Sequence, residues 1–326
     1  MGRSLKVGIE SWPLARPFRI SRGVKTAAEV ISVTLHEQVA TGRGEAVPYS
    51  RYDETPASVA AQISSVAAAI EAGADRAALA RLLAPGAARN ALDCALWDLE
   101  AALTGQRVTD RIGLAAPRQV ATALTISLDT PAQMGEAAAR LEAPLLKVKL
   151  DAHLVKERLQ AVRAAAPTAR LIIDPNEGWR IDDLIAHTET LRAAQVAFVE
   201  QPLPAGEDEA LAAYRGGIAL CADESVHTLA DLEALVGRYQ IVNIKLDKAG
   251  GLTEAARLLL AARTAGFRVM IGCMVCSSLA VAPAFLLAGG ADYVDLDGPL
   301  WLSEDRPGGL IEQGGMIAFQ RADFWG

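Results

Sequence analysis

The 326-residue chain is 51% hydrophobic and 22% charged, with 5% aromatic residues and a formal net charge of −7. Such a composition fills a large helix-rich core, exceeds what one core usually holds, and excludes a disordered chain. The acidic balance without a Lys/Arg block excludes nucleic acid as a partner, and the longest apolar run, Leu279 to Ala288, is too short for a bilayer and contains Pro283.

The opening Met1-Gly2-Arg3-Ser4-Leu5-Lys6 lacks a signal-type apolar stretch, so a cytoplasmic protein is expected. Cys94, Cys221, Cys273 and Cys276 lie in apolar surroundings at irregular spacing and read as reduced thiols. From Leu5 to about Val47 the pattern alternates as in an antiparallel meander, with Gly42-Arg43-Gly44-Glu45 as a turn. Ser58 to Ala72, Ala77 to Leu83 and Ala87 to Leu103 carry apolar residues three and four apart and predict helices, the last stopped by Gly105. Residues 1–113 therefore read as an α+β unit.

After the Pro117 region short apolar runs alternate with amphipathic stretches, the grammar of parallel βαβ units. Eight strands are predicted, over Val120–Ile126, Leu145–Lys149, Leu171–Asp174, Val196–Glu200, Ile218–Asp223, Ile241–Lys245, Arg268–Gly272 and Asp292–Leu296. Helices are predicted over Pro131–Leu141, Leu154–Ala166, Ile181–Ala194, Leu229–Tyr239, Leu252–Ala265 and Ser278–Gly289. The fold class is α/β: a modified (β/α)8 TIM-type barrel over 114–309 with an N-terminal α+β capping domain, and a C-terminal segment, 310–326, packing back on the cap. The sequence leaves a homo-oligomer open.

Asp174, Glu200 and Asp223 each close an apolar run, flanked by Lys147 and Lys149 upstream and Lys245 downstream. The C-terminal strand ends of such a barrel meet at one mouth. Three carboxylates gathered there repel one another unless a divalent cation neutralises them, which predicts Mg²⁺ on Asp174, Glu200 and Asp223. Residues two apart share a strand face, so Lys147 and Lys149 point together, as do Asp295 and Asp297. Lys149 and Lys245 would flank a substrate as two bases, the nearby charges of Lys147 and the metal favouring a neutral amine. Lys147 itself stays charged and pairs with a substrate carboxylate, while Asn176 and Glu224 orient a ligand or a lysine. A solvated rim charge explains any one of these residues, but packing gives no reason to concentrate charge at the ends of the second through sixth strands and the eighth. Cys273-Met274-Val275-Cys276 has metal-knuckle spacing without a second pair and reads as strand-end packing, and His36, His153, His187 and His227 are scattered.

Lys147-Val148-Lys149, Asp174, Glu200-Gln201-Pro202, Asp223-Glu224-Ser225 and Val242-Asn243-Ile244-Lys245-Leu246-Asp247-Lys248-Ala249-Gly250-Gly251 together resemble the enolase superfamily, specifically its muconate-lactonizing subgroup, over nearly the whole chain. The resemblance implies Mg²⁺ and a lysine base working through an enediolate. Within the subgroup, Asp295-Leu296-Asp297-Gly298-Pro299 resembles dipeptide epimerases, whose acidic pair holds the substrate's N-terminal ammonium. It implies a dipeptide substrate, L-Ala-D/L-Glu foremost, epimerised at the Cα of its C-terminal residue by two-base 1,1-proton transfer, with a role in murein peptide recycling. The loop Pro17 to Gly23 covers the site in relatives; Arg22 is expected to meet a substrate carboxylate, with Arg19 and Lys25 as rivals. N-acylamino acid racemisation and muconate cycloisomerisation use the same enediolate, and a metal-free aldolase-type barrel with Lys245 as a Schiff base is a more distant alternative.

Overall fold

The structure, a computed structural model, describes residues 2–115, 117–321 and 323–326. Its first three strands, β1 (Ser4–Ile20), β2 (Gly23–Glu37) and β3 (Ala40–Ala46), form an antiparallel sheet in the order β1-β2-β3. The period-two pattern of β2 decides its packing. Ile31, Val33 and Leu35 face helices α1 (Pro56–Glu71), α2 (Arg76–Leu82) and α3 (Ala87–Thr104), where they share a core with Ile63, Leu79 and Leu92. Val30 points the other way into the barrel-side core. Helix α1 starts on a Thr55/Ser58 capping box with Pro56 in its first turn, and α3 ends at Gly105 in the left-handed conformation.

Gly42-Arg43-Gly44-Glu45 is not a turn: it lies inside β3, paired with β2 through Leu35↔Gly42 and Val33↔Gly44. The glycines serve a close approach instead. A Cβ at Gly42 would stand 2.2 Å from the Ala95 carbonyl oxygen, and one at Gly44 2.1 Å from that of Ala91, so only a bare backbone lets β3 lie this near α3.

The predicted first barrel strand is split. Val120–Ala121 forms β4, which pairs antiparallel with a C-terminal hairpin, whereas Leu124–Ile126 forms β5 and pairs parallel with the next barrel strand. Thr122 sits at the handover, its N–H donating to Gly315 O at 2.9 Å and its Oγ1 accepting from Leu296 N at 2.9 Å. The barrel continues with β6 (Leu145–Lys149), β7 (Arg170–Asp174), β8 (Val196–Glu200), β9 (Ala219–Ala222), β10 (Ile241–Lys245), β11 (Arg268–Gly272) and β12 (Tyr293–Asp295), hydrogen-bonded in that order. Across the gap between β12 and β5, Ala123 N donates to Val294 O at 2.8 Å, bringing the sheet close to closure.

Of the predicted helices, Leu229–Tyr239 contracts to a 3₁₀ turn and the single helical turn Leu232–Leu235, because Val236 is extended and Gly237 has a φ of 81°. The C-terminal strands β13 (Leu310–Gln313) and β14 (Met316–Phe319) form the hairpin on β4. Farther on, Trp325 Nε1 donates to Arg43 O at 2.7 Å and Gly326 N to Asp98 Oδ1 at 2.9 Å, so this segment touches both barrel and cap. Among the described residues no helix is long and apolar enough to cross a membrane, and all four cysteines are free, with Cys273 half-buried and the others buried.

Inside the barrel the side chains change character along the strands. Ala123, Leu145, Ile172, Phe198, Cys221, Ile241, Met270 and Tyr293, one from each strand or its edge, form a separate apolar ring. Two residues further along, the same faces carry Thr125, Lys147, Asp174, Glu200, Asp223, Asn243, Gly272 and Asp295. Period-two alternation thus turns a dry layer into a polar one in a single step, at the C-terminal rim.

Candidate active site

The rim opens into a cavity of ≈ 350 Å³ lined by Lys147, Lys149, Asp223, Lys245, Asp295 and Asp297, and by Arg22, Lys25 and Tyr49 from the cap. Five consecutive strands supply its charge: Lys149 ends β6, Asp174 β7, Glu200 β8 and Lys245 β10, while Asp223 directly follows β9. Since β6 and β10 are four places apart in an eight-strand order, Lys149 and Lys245 approach from opposite walls, with the three carboxylates between them.

Each of those carboxylates has one oxygen held from behind. Asp174 Oδ1 accepts from Asn176 N at 2.8 Å, Glu200 Oε1 accepts from Asn243 Nδ2 at 2.8 Å, and Asp223 Oδ1 accepts from Lys248 Nζ at 2.6 Å. The other oxygens meet the cavity lysines. Lys149 Nζ lies 2.5 Å from Asp174 Oδ2 and Lys245 Nζ 2.7 Å from Asp223 Oδ2. Lys147 Nζ bridges Asp295 Oδ2 at 2.7 Å, Glu200 Oε2 at 2.8 Å and Asp174 Oδ2 at 3.0 Å. Glu200 Oε2 nevertheless has no aligned hydrogen-bond donor, because Lys147 sits near it but off the bonding direction.

This pattern fits a divalent cation by the chemistry of its donors: three buried carboxylates converge, each presenting one hard oxygen, and one of those oxygens lacks a hydrogen bond. Among the described residues no three such side chains already stand as a finished cage; the lysine ammoniums lie at the oxygens a cation would take. Titration follows the same charges. Burial pushes Asp174 and Asp223 up, but Lys149 and Lys147 hold the first well below the usual carboxylate range, and Lys245 and Lys248 hold the second there. Glu200 is pushed up to about 8 by burial and by the charge of Asp174. Burial opposes charge on Lys147 and Lys245 too, yet Asp295, Glu200 and Asp174 raise the first, and Asp223 the second, above the ordinary lysine value. In this arrangement the neighbouring acids outweigh burial at Lys147 and Lys245.

Arg22 belongs to the mouth, but its guanidinium is already engaged. It pairs with Glu224 Oε1 at 2.7 Å and Glu177 Oε2 at 2.8 Å, and donates to Asn176 O at 2.8 Å and Tyr49 Oη at 3.0 Å. Beside it, Ser21 Oγ donates to Pro175 O at 2.7 Å, so the turn between β1 and β2 is fastened onto the loop after β7. Asn176 and Glu177 adopt φ values of 48° and 65°, a left-handed pair that turns Asn176 N back to Asp174. Arg19 is drawn to Asp129 at 3.0 Å. Lys25, half-buried in the cavity wall, has no carboxylate at ion-pair distance among the described residues; burial, then Arg22 and Lys245, lower its pKa. Asp295 and Asp297 stand on the last strand and just past it. Asp297 Oδ2 accepts from Thr125 N at 2.7 Å and Trp301 Nε1 at 3.3 Å, and Asp295 Oδ1 is buried without a hydrogen-bond partner.

Sequence reasoning passed over Asn243, Lys248 and Gln201 as site residues. Gln201 Oε1 accepts from Asp223 N at 2.8 Å and Ser225 N at 3.1 Å, fixing the turn that carries Asp223. Their only signal was membership in the runs around Glu200 and Lys245.

Residues 130–320 match the family model "Enolase C-terminal domain-like", and residues 3–113 match "Mandelate racemase / muconate lactonizing enzyme, N-terminal domain". The L-Ala-D/L-Glu epimerase of Escherichia coli (strain K12) is 50% identical over 306 residues, 93% of this chain and 95% of that protein. The N-acetyl-D-glutamate racemase of a Pseudoalteromonas species is 45% identical over 300 residues, 91% of this chain and 95% of that one. A crystal structure of an Agrobacterium tumefaciens enolase family member with homology to dipeptide epimerases, with bound sodium, L-Ala-L-Glu and an ordered loop, superposes with a TM-score of 0.96 at 46% identity, covering 99% of this chain and 100% of that one. The dipeptide epimerase from Methylococcus capsulatus, complexed with Mg and L-Arg-D-Lys, superposes with a TM-score of 0.88 at 33% identity, covering 98% and 97%.

Proposed function

The chain belongs to the enolase superfamily, in its mandelate racemase / muconate lactonizing enzyme family, and on that premise we propose that it is a Mg²⁺-dependent epimerase acting at the Cα of the C-terminal residue of a dipeptide, L-Ala-D/L-Glu foremost. The observation that carries the reading is the order of charge along five strands: a lysine, three acids, and a lysine on the opposite wall. Asp174, Glu200 and Asp223 would hold the cation, which when bound stabilises negative charge at the substrate's carboxyl group.

The chain's own residues perform the proton transfers. The α-proton passes to the Nζ of Lys149 or Lys245, its electron pair moves into the carboxyl group as an enediolate, and the ammonium of the other lysine returns a proton to the opposite face. Each transfer is typically worth about 10²–10⁴-fold. Lys147, whose charge the surrounding acids secure, is the cation for the substrate's α-carboxylate. Asp295 and Asp297 meet the N-terminal ammonium; Asp295 Oδ1 has a free acceptor for it. For the glutamyl side chain we assign Lys25, the cation in the wall that has no acidic partner among the described residues, and make Arg22 the latch of the covering turn. A cytoplasmic setting and a part in murein peptide recycling belong to the same reading.

A second reading, racemisation of an N-acylated glutamate, has the Pseudoalteromonas relative in its favour; its substrate presents an amide where the dipeptide presents an ammonium. One experiment tests both. A small dipeptide library with N-acetyl-glutamate is incubated with enzyme and Mg²⁺ in D₂O, and Cα deuteration is followed by NMR. Exchange and epimerisation restricted to free-amine dipeptides support the proposal, preference for N-acetyl-glutamate moves the chain to the second reading, and exchange in neither sinks both.

A further inference from the structure

The three carboxylates assigned to the cation are restrained by different means. Asp174 has its rear oxygen held by the backbone N–H of Asn176, whose side-chain Nδ2 also donates to the front oxygen at 3.2 Å. Glu200 and Asp223 depend on side chains of one short segment, Asn243 on β10 and Lys248 one turn beyond it. Lys248 is 1% exposed, and its three N–H bonds have three protein acceptors: Asp223 Oδ1, the Asp223 carbonyl oxygen, and Asn243 O at 3.1 Å. It is the fourth lysine of the rim and the one that does not line the cavity. Asn243 donates to Glu200 Oε1 from a fully buried position, and the neighbouring strand makes room for it: a Cβ at Gly272 would stand 2.5 Å from Asn243 Oδ1 and 2.9 Å from its Nδ2.

We propose that Lys248 and Asn243 are positioning residues for the cation site, each binding the rear oxygen of one carboxylate so that only the front oxygen turns inward. The division of labour between lysines follows. Lys147, Lys149 and Lys245 touch the front oxygens and are free to turn to substrate. Lys248 touches a rear oxygen and two carbonyl groups, which leaves it no N–H for substrate. Asn243 does for Glu200, without charge, what Lys248 does for Asp223. Had Glu200 both oxygens free, it could rotate to chelate through two oxygens; the hydrogen bond from Asn243 removes one of those oxygens from competition.

The inference rests on the Mg²⁺ reading above, and its test separates the two. Mg²⁺ binding to the purified full-length chain is measured by titration calorimetry without substrate, alongside thermal unfolding in EDTA, for wild type, Lys248→Met and Gly272→Ala. The glycine variant changes no polar group and acts by pushing Asn243 off Glu200. Both variants are expected to bind Mg²⁺ about 10–100-fold more weakly, as is usual when groups behind metal ligands are lost. Variants that melt within a few degrees of wild type and bind Mg²⁺ equally well overturn the inference and leave the function standing. A wild-type chain that binds no Mg²⁺ sinks both. If Lys248→Met does not fold, Gly272→Ala decides.

Discussion

Replacing Lys149 with alanine separates the two halves of the proposed reaction. Lys149 and Lys245 end strands on opposite walls, so under the proposed mechanism each would serve one face of Cα, and epimerisation would need both while exchange of one epimer's α-hydrogen with solvent would need only one. The substitution does not orphan Asp174, because Lys147 Nζ remains 3.0 Å from the same Oδ2. Loss of one general base costs about 10²–10⁴-fold, or about 3–5 kcal/mol of transition-state stabilisation at roughly 1.4 kcal/mol per decade. The assay is NMR of L-Ala-D-Glu and L-Ala-L-Glu in D₂O. Lys149→Ala should epimerise neither at an appreciable rate, yet still deuterate the one epimer whose α-hydrogen faces Lys245, and Lys245→Ala should show the reverse choice. Wild-type epimerisation by Lys149→Ala, or the same epimer exchanging in both variants, refutes the two-wall reasoning.

Two further predictions concern the scaffold. Gly44→Ala places a Cβ 2.1 Å from a backbone oxygen of α3; overpacking against backbone should cost about 3 kcal/mol or more, lowering Tm by about 4 °C or more. Gly135→Ala, where the nearest atoms are an ordinary 3.4 Å away, should leave Tm unchanged or raise it, and equal melting of the two variants contradicts the close-approach argument. Asp93 on α3 is pushed up to about 6 by burial, against its hydrogen bonds from Thr253. A carboxyl whose folded pKa is raised holds its proton longer when folded, so its contribution is full below about 4 and lost as pH rises through about 6. Urea unfolding across that window should show wild type losing stability relative to Asp93→Asn as pH rises, and a constant difference between the two would count against it.

Strand identity and the rim carboxylates were legible because both depend on short-range periodicity: an apolar run ending in an acid shows where a barrel strand reaches its mouth. What was illegible depends on partners distant in sequence. Gly42 and Gly44 look like a turn until α3, about 50 residues on, is seen to press against them. Val120 to Ile126 reads as one strand because the hairpin that claims Val120 and Ala121 comes at the other end of the chain. Arg22 reads as a ready anion ligand because nothing local reveals that Glu177 and Glu224 already hold it. Lys248 carries no strand signal at all: it reaches Asp223 by folding back from the first turn after β10.

The apolar ring under the polar layer acts as a floor. Phe198 and Tyr293 meet edge to face at its centre, 4.8 Å apart, and the strands deny passage from the sides, so traffic to the two amines is one-ended and runs past Tyr49, Tyr52 and the turn that Arg22 fastens. In a vessel with a single doorway, what is admitted can be retuned by editing the doorway while the reacting groups below stay as they are. The hairpin of β1 and β2 is thus the place where a change of diet would first be written.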